Sequence, residues 1–129
     1  MVVIDTNIIC RFLLKDDPTL YKKAQSIITH QDIYLDAIII AETIWVLTKL
    51  YHLPKADVIE KIRDLLFFAK STLKEKQLIN QTLSIYDSHP ISFVDAWLIA
   101  TCQHYQVPLA SFDKKLVKLA HDSSRIASN

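Results

Sequence analysis

Val2-Val3-Ile4-Asp5-Thr6-Asn7-Ile8-Ile9-Cys10-Arg11-Phe12-Leu13-Leu14 opens the chain, and its reading decides the fold class. Val2, Val3 and Ile4 are β-branched and end at an acid, the pattern of a short strand. Beyond the acid, Ile8, Ile9, Phe12 and Leu13 recur at helical spacing, which predicts a helix from about Asn7 to Leu14. The same succession of strand, acid and helix returns further on. Ile33–Leu35 reads as a strand bounded by Asp32 and Asp36, followed by a largely apolar helix over Ala37–Tyr51. Alternating strands and helices predict an α/β fold with a short, mainly parallel sheet covered by helices. In such sheets the binding site lies beyond the carboxyl ends of the strands.

The remaining elements follow from turn and cap signals. Asp17-Pro18 starts a helix, with Pro at its first position and Leu20, Ala24, Ile27 and Ile28 as its apolar stripe. Pro54 opens another, where Val58, Ile59, Ile62, Leu65, Leu66 and Ala69 repeat helically. Ser71–Lys74 reads as a weak strand before a helix over Glu75–Asp87, and His89-Pro90 breaks the chain. Ser92 caps a helix to Tyr105, with Asp95 at the capping-box position. Pro108–Ser111 is expected as a strand, Asp113–Ala120 as a helix and Arg125–Ala127 as a last strand.

The 129 residues suit one domain over 1–129, with half of them hydrophobic and 22% charged. A net charge of +1 gives no general basic field, so any nucleic acid must be met by a local patch. No Gly occurs, which excludes every Gly-rich phosphate loop. The opening reaches Asp5 too soon for a signal peptide, and the apolar run Ala37–Leu47 is too short to span a bilayer. Cys10 and Cys102 therefore read as reduced core thiols of a cytoplasmic protein. His30, His52, His89, His104 and His121 share no ligand spacing.

Four acids stand at informative places. Asp5 and Asp113 each follow a predicted strand and precede a helix, and Asp95 lies in a helix's first turn. Each reads as a helix cap or as a ligand. Glu42 has Ile38, Ile39, Trp45 and Val46 for helical neighbours. On a buried face its charge costs several kcal/mol unless paired or bound to a metal, and no base precedes Lys49 in that segment. The alternative is a nearly all-apolar helix with Glu42 on its one exposed edge. Gathered carboxylates repel unless a cation compensates, and Mg²⁺ or Mn²⁺ takes such oxygen ligands while bridging to phosphate.

In this light the opening stretch, with Asp16-Asp17-Pro18, resembles the first block of PIN-domain toxins of the VapC type. Ala41-Glu42-Thr43-Ile44-Trp45-Val46-Leu47 resembles the second block, Phe93-Val94-Asp95-Ala96-Trp97-Leu98-Ile99-Ala100 the third, and Ala110-Ser111-Phe112-Asp113-Lys114-Lys115 the fourth. The blocks keep family order and span nearly the whole chain. The resemblance implies a three-layer α/β/α sandwich and a Mg²⁺- or Mn²⁺-dependent endoribonuclease, the toxin of a pair, often a homodimer and inhibited by a cognate antitoxin. By position it makes Asp5, Glu42, Asp95 and Asp113 the metal-holding catalytic acids. It makes Thr6, Asn7 and Ser111 their supporting polar groups.

Three features depart from the pattern. Lys115 stands where some relatives carry a further acid, Trp97 where a small residue is common, and the loops that often hold Gly have none. Arg11 and Lys15, one helical turn apart, and Lys114, with Lys115 and Lys118 beside it, read as phosphate contacts or as a solvated face. Phe67 and Phe68 exceed what one helical stripe buries, so part of the pair faces either the core or a partner. Two other readings remain: an RNA- or protein-binding module with little catalysis, and a cellular ribonuclease outside any toxin pair. A phosphatase with Asp5 as nucleophile would want a second acid two residues on, where Asn7 stands.

Overall fold

Two short strands lie side by side, and each hands over to a helix through an aspartate. The computed structural model describes residues 1–71 and 73–128. Strand β1 (Val2–Val3) pairs in parallel with β2 (Ile33–Tyr34), Val2 opposite Ile33 and Val3 opposite Tyr34. A parallel bridge between Asp32 and Lys70 extends the sheet by a third segment, with the Ile33 amide donating to the Lys70 carbonyl at 2.8 Å. The chain is a mostly helical α/β fold with a short parallel sheet. It divides into two compact units, Met1–Gln77 and Leu78–Asn129.

The first unit holds α1 (Thr6–Leu14), α2 (Pro18–His30), α3 (Ala37–Trp45) and α4 (Lys55–Phe68) beside the two strands. Helix α1 packs against α2, α3 and α4. The buried side chains include Ile4, Ile9, Ile28, Ile33, Leu35, Ile40, Leu47, Ile62 and Leu65, so the strands and the inner faces of the helices supply one apolar interior. Helix α3 does not run unbroken to Tyr51 as expected. A π-helical turn, Val46–Leu50, continues it. There the Thr48 hydroxyl donates to the Ile44 carbonyl at 2.7 Å, competing for a backbone acceptor.

In the second unit, α6 (Phe93–Tyr105) packs on α7 (Lys114–Ser128), and Ile99, Leu116 and Ala120 form a small core. Helix α5 (Leu73–Ser88) carries the division between the units within it.

Two expected strands are absent among the described residues, and a third lies partly outside them. Pro108–Ser111 is irregular, and Pro108 has no N–H to give a ladder. Arg125–Ala127 lies inside α7, since adding residues to a formed helix is easier than starting a strand. Of Ser71–Lys74, Thr72 lies outside the described residues, and Leu73 and Lys74 begin α5.

The missing glycines are replaced by strain. Lys15 and Gln106 end α1 and α6 in the left-handed region, at φ 54 and 55, and His52 adopts φ 54 after the π turn. A side chain in that region costs roughly 1–2 kcal/mol against right-handed backbone. The Lys15 and Gln106 amides recover a bond each, to the Arg11 and Cys102 carbonyls.

Candidate active site

In the first unit the strand ends place two helix starts together. Asp5 stands two residues beyond Val3, and Asp36 two beyond Tyr34, its partner in register. Both are N-caps: Asp5 Oδ1 accepts from the Ile8 amide and Asp36 Oδ1 from the Ile39 amide, each at 3.1 Å. The positive ends of α1 and α3 therefore flank one edge of the sheet. Asp5 and Asn7 are exposed. Thr6 between them is buried, and its Oγ1 has no hydrogen-bond partner in the structure.

Glu42 overturns the expectation of a buried carboxylate. It is exposed, and so are its neighbours Ile38 and Trp45, at 75% and 55%. The buried face of α3 is instead Ile40, Thr43 and Ile44. Apolar composition misled because this helix shows its surplus isoleucine and tryptophan to solvent. The desolvation case for a cation at Glu42 thus falls, and its position remains. Asp5 and Glu42 both act on one interior group, the Cys10 thiol of α1. Burial chiefly raises its pKa above the ordinary 9.0; Arg11 lowers it, and Asp16, Glu42 and Asp5 add to the rise. Cys10 and Cys102 are both buried and unbridged.

The expected phosphate contacts differ in availability. Arg11 Nη1 reaches both carboxylate oxygens of Asp16 at 3.2 Å, so this guanidinium is already paired. The Lys15 ammonium lies 5.6 Å from the centre of the Tyr21 ring. Lys114 is exposed at the start of α7.

In the second unit, Ser92 Oγ accepts from the Asp95 amide at 3.1 Å, and the reciprocal bond of a capping box is absent among the described residues. The half-buried Asp95 carboxylate is therefore not used as a cap. Asp113, exposed, caps α7 by accepting from the Leu116 amide at 3.1 Å. Ser111 Oγ accepts from the Asp113 amide at 3.0 Å, fixing the turn that presents this acid. Trp97 is half-buried.

The sequence profile described as PIN domain matches residues 2–122. The chain belongs to the PIN-domain family. PIN domains have a nuclease-type fold, are typically metal-dependent and act on RNA or other nucleic acids. No match was found among curated proteins or among solved structures.

For a PIN domain the donor set suits a hard divalent cation, since every candidate ligand is a carboxylate. Glu42 in particular makes no hydrogen bond or ion pair among the described residues. The structure brings Asp5 and Glu42 into one unit and Asp95 and Asp113 into the other. Among the described residues no group of three or more His, Cys, Asp or Glu side chains is placed to hold a metal.

The sequence reading took Asp36 only as the end of a strand, although Ile33-Tyr34-Leu35-Asp36 repeats the pattern of Val2-Val3-Ile4-Asp5. Asp16, which occupies Arg11, left no signal, because a pair five residues apart across a helix end has no fixed spacing rule. No helix among the described residues is long and apolar enough to cross a membrane.

Proposed function

We propose that this PIN domain, one domain over residues 1–129, is a cytoplasmic metal-dependent endoribonuclease and the toxin of a toxin–antitoxin pair. In this reading Asp5, Glu42, Asp95 and Asp113 hold Mg²⁺ or Mn²⁺, which when bound lowers the pKa of a water and offsets charge on the phosphodiester. The observation that carries it is that Asp5, at the start of α1, and Glu42, on α3, are both exposed on two helices that pack together.

The chain's own groups contribute position and field. The Ile8 amide fixes one Asp5 oxygen and leaves the other for a ligand. The N-termini of α1 and α3, beside the aspartates that cap them, add positive potential for an incoming phosphate once a cation offsets those carboxylates. Thr6, whose buried hydroxyl has no partner in this structure, and Asn7 would orient Asp5 or a water on the bound metal, and Ser111 steadies Asp113 through its amide. Lys15 and Lys114 supply cations for the RNA backbone, whereas Arg11 must first leave Asp16. A homodimer and a cognate antitoxin complete the proposal.

Incubation of the protein with a mixed RNA pool tests it, in Mg²⁺, in Mn²⁺ and in chelator, beside Asp5→Asn. Cleavage is expected with either cation and is lost in chelator and in the variant. Cleavage that survives both defeats the mechanism, and RNA binding without cleavage favours a binding module. Growth arrest on expression, relieved by the product of an adjacent small gene, is the outcome expected of a toxin. Growth without arrest points to another cellular ribonuclease.

A further inference from the structure

Ile38, Glu42, Trp45 and Lys49 are all exposed. Steps of four, three and four residues keep them on one side of α3 and the π turn that follows it. The seven steps from Glu42 to Lys49 cover about 10 Å along the axis, the length of about three stacked nucleotides at about 3.4 Å each. The opposite face is committed to the core through Ile40, Thr43, Ile44 and Leu47. The stripe is therefore a surface with its own composition.

That composition favours one occupant. An interface core between proteins is enriched in Trp but depleted in Lys and Glu, and here Glu42 and Lys49 stand about one turn to either side of Trp45. Unpaired nucleic acid is held by the reverse arrangement, an aromatic face for the base beside a cation for the backbone. Neither Trp45 nor Lys49 has a hydrogen-bond or ion-pair partner through its side chain among the described residues. The Thr48 hydroxyl, donating at 3.3 Å to the Trp45 carbonyl, ties down the backbone that carries the indole. The stripe is also continuous with the candidate site, because Glu42 belongs to both.

We propose that Ile38, Trp45 and Lys49 form a track for single-stranded RNA, with a base next to the cleaved phosphodiester stacked on Trp45 and a neighbouring phosphate on Lys49. The inference rests on the nuclease reading through Glu42. It makes Trp45 a substrate-selecting residue, favouring unpaired over duplex RNA because a paired base offers no face to stack.

The test is binding of a labelled single strand of about twelve nucleotides, in chelator so that nothing is cleaved, against a duplex of the same length. Trp45→Ala is expected to weaken single-strand binding about 5- to 150-fold, and Trp45→Phe to retain most of it. Lys49→Ala is expected to lower the slope of log affinity against log salt by about 0.7. Indole emission, followed in Trp97→Phe, should change on adding the single strand and not the duplex. Unchanged binding by Trp45→Ala and a silent indole overturn the track. A fall in sedimenting mass in Trp45→Ala with RNA affinity intact also overturns it and assigns the stripe to a second copy of the chain. Cleavage of the RNA pool separates the two proposals: with cleavage present and Trp45 silent, the track alone fails. With Trp45-dependent binding and no cleavage in either cation, the nuclease reading fails and the track stands.

Discussion

The start of α1 and the middle of α3 each offer an acid on the exposed side of the first unit, but only one of those acids has a structural duty. Asp5 caps α1 through the Ile8 amide, as Asp17, Asp36 and Asp113 cap α2, α3 and α7. Glu42 caps nothing and pairs with nothing among the described residues. A capping aspartate therefore says little about function by itself, since Asp17 has the same geometry with no claim to chemistry. A solvent-facing glutamate between Ile38 and Trp45 contributes nothing evident to the fold, so a change there tests function with little disturbance of stability.

The comparison breaks most readily on metal affinity. Glu42→Gln is expected to weaken Mn²⁺ binding by about 10- to 100-fold, read by titration calorimetry. An unchanged isotherm would return Glu42 to the ordinary surface. Next comes stability. Asp17→Ala and Asp5→Ala should each lose about 1 kcal/mol, while Asp5→Asn keeps the cap and stays near the native value. Glu42→Gln should remain within about 0.5 kcal/mol. Thermal melts of the four variants check this, and a large loss in Glu42→Gln would reveal a structural partner.

The third test uses the interior thiol whose ionisation both acids oppose. Burial, with Asp16, Glu42 and Asp5, raises the Cys10 pKa above 9.0, and burial also raises that of Tyr86 above 10.0. A group whose folded pKa is raised supports the fold fully below its unfolded pKa and loses that support as pH climbs. The melting temperature should therefore fall as pH rises past about 9. Cys10→Ala should flatten the first part of the fall, and an identical profile in that variant would contradict the assignment. The smallest effect is expected at the end of α6, in the second unit. Gln106→Gly relieves the left-handed strain at φ 55 and should raise stability by less than about 1 kcal/mol.

The sequence made the strand–aspartate–helix units visible because they rest on local rules. β-branched runs, Asp caps and Pro18 at a helix start all act within a few residues, and β1, β2, α1, α2 and α6 follow those signals closely. The shortcomings lie where local rules meet tertiary choice. Pro108–Ser111 has strand-like flanks but no ladder to join, and the end of the chain extends α7 rather than forming a strand. Glu42 was singled out for burial, a reason that fails, because hydropathy cannot say which isoleucines of an all-apolar helix face water. The absence of Gly was legible; that Lys15, His52 and Gln106 would take its conformation was not.

The most direct test of the central claim compares RNA cleavage by the native protein and by Glu42→Gln, in Mg²⁺ and in chelator, with both melts recorded. The account predicts that Glu42→Gln melts with the native protein and loses cleavage by about a hundredfold or more. Full cleavage by Glu42→Gln, or cleavage by the native protein in excess chelator, would contradict it.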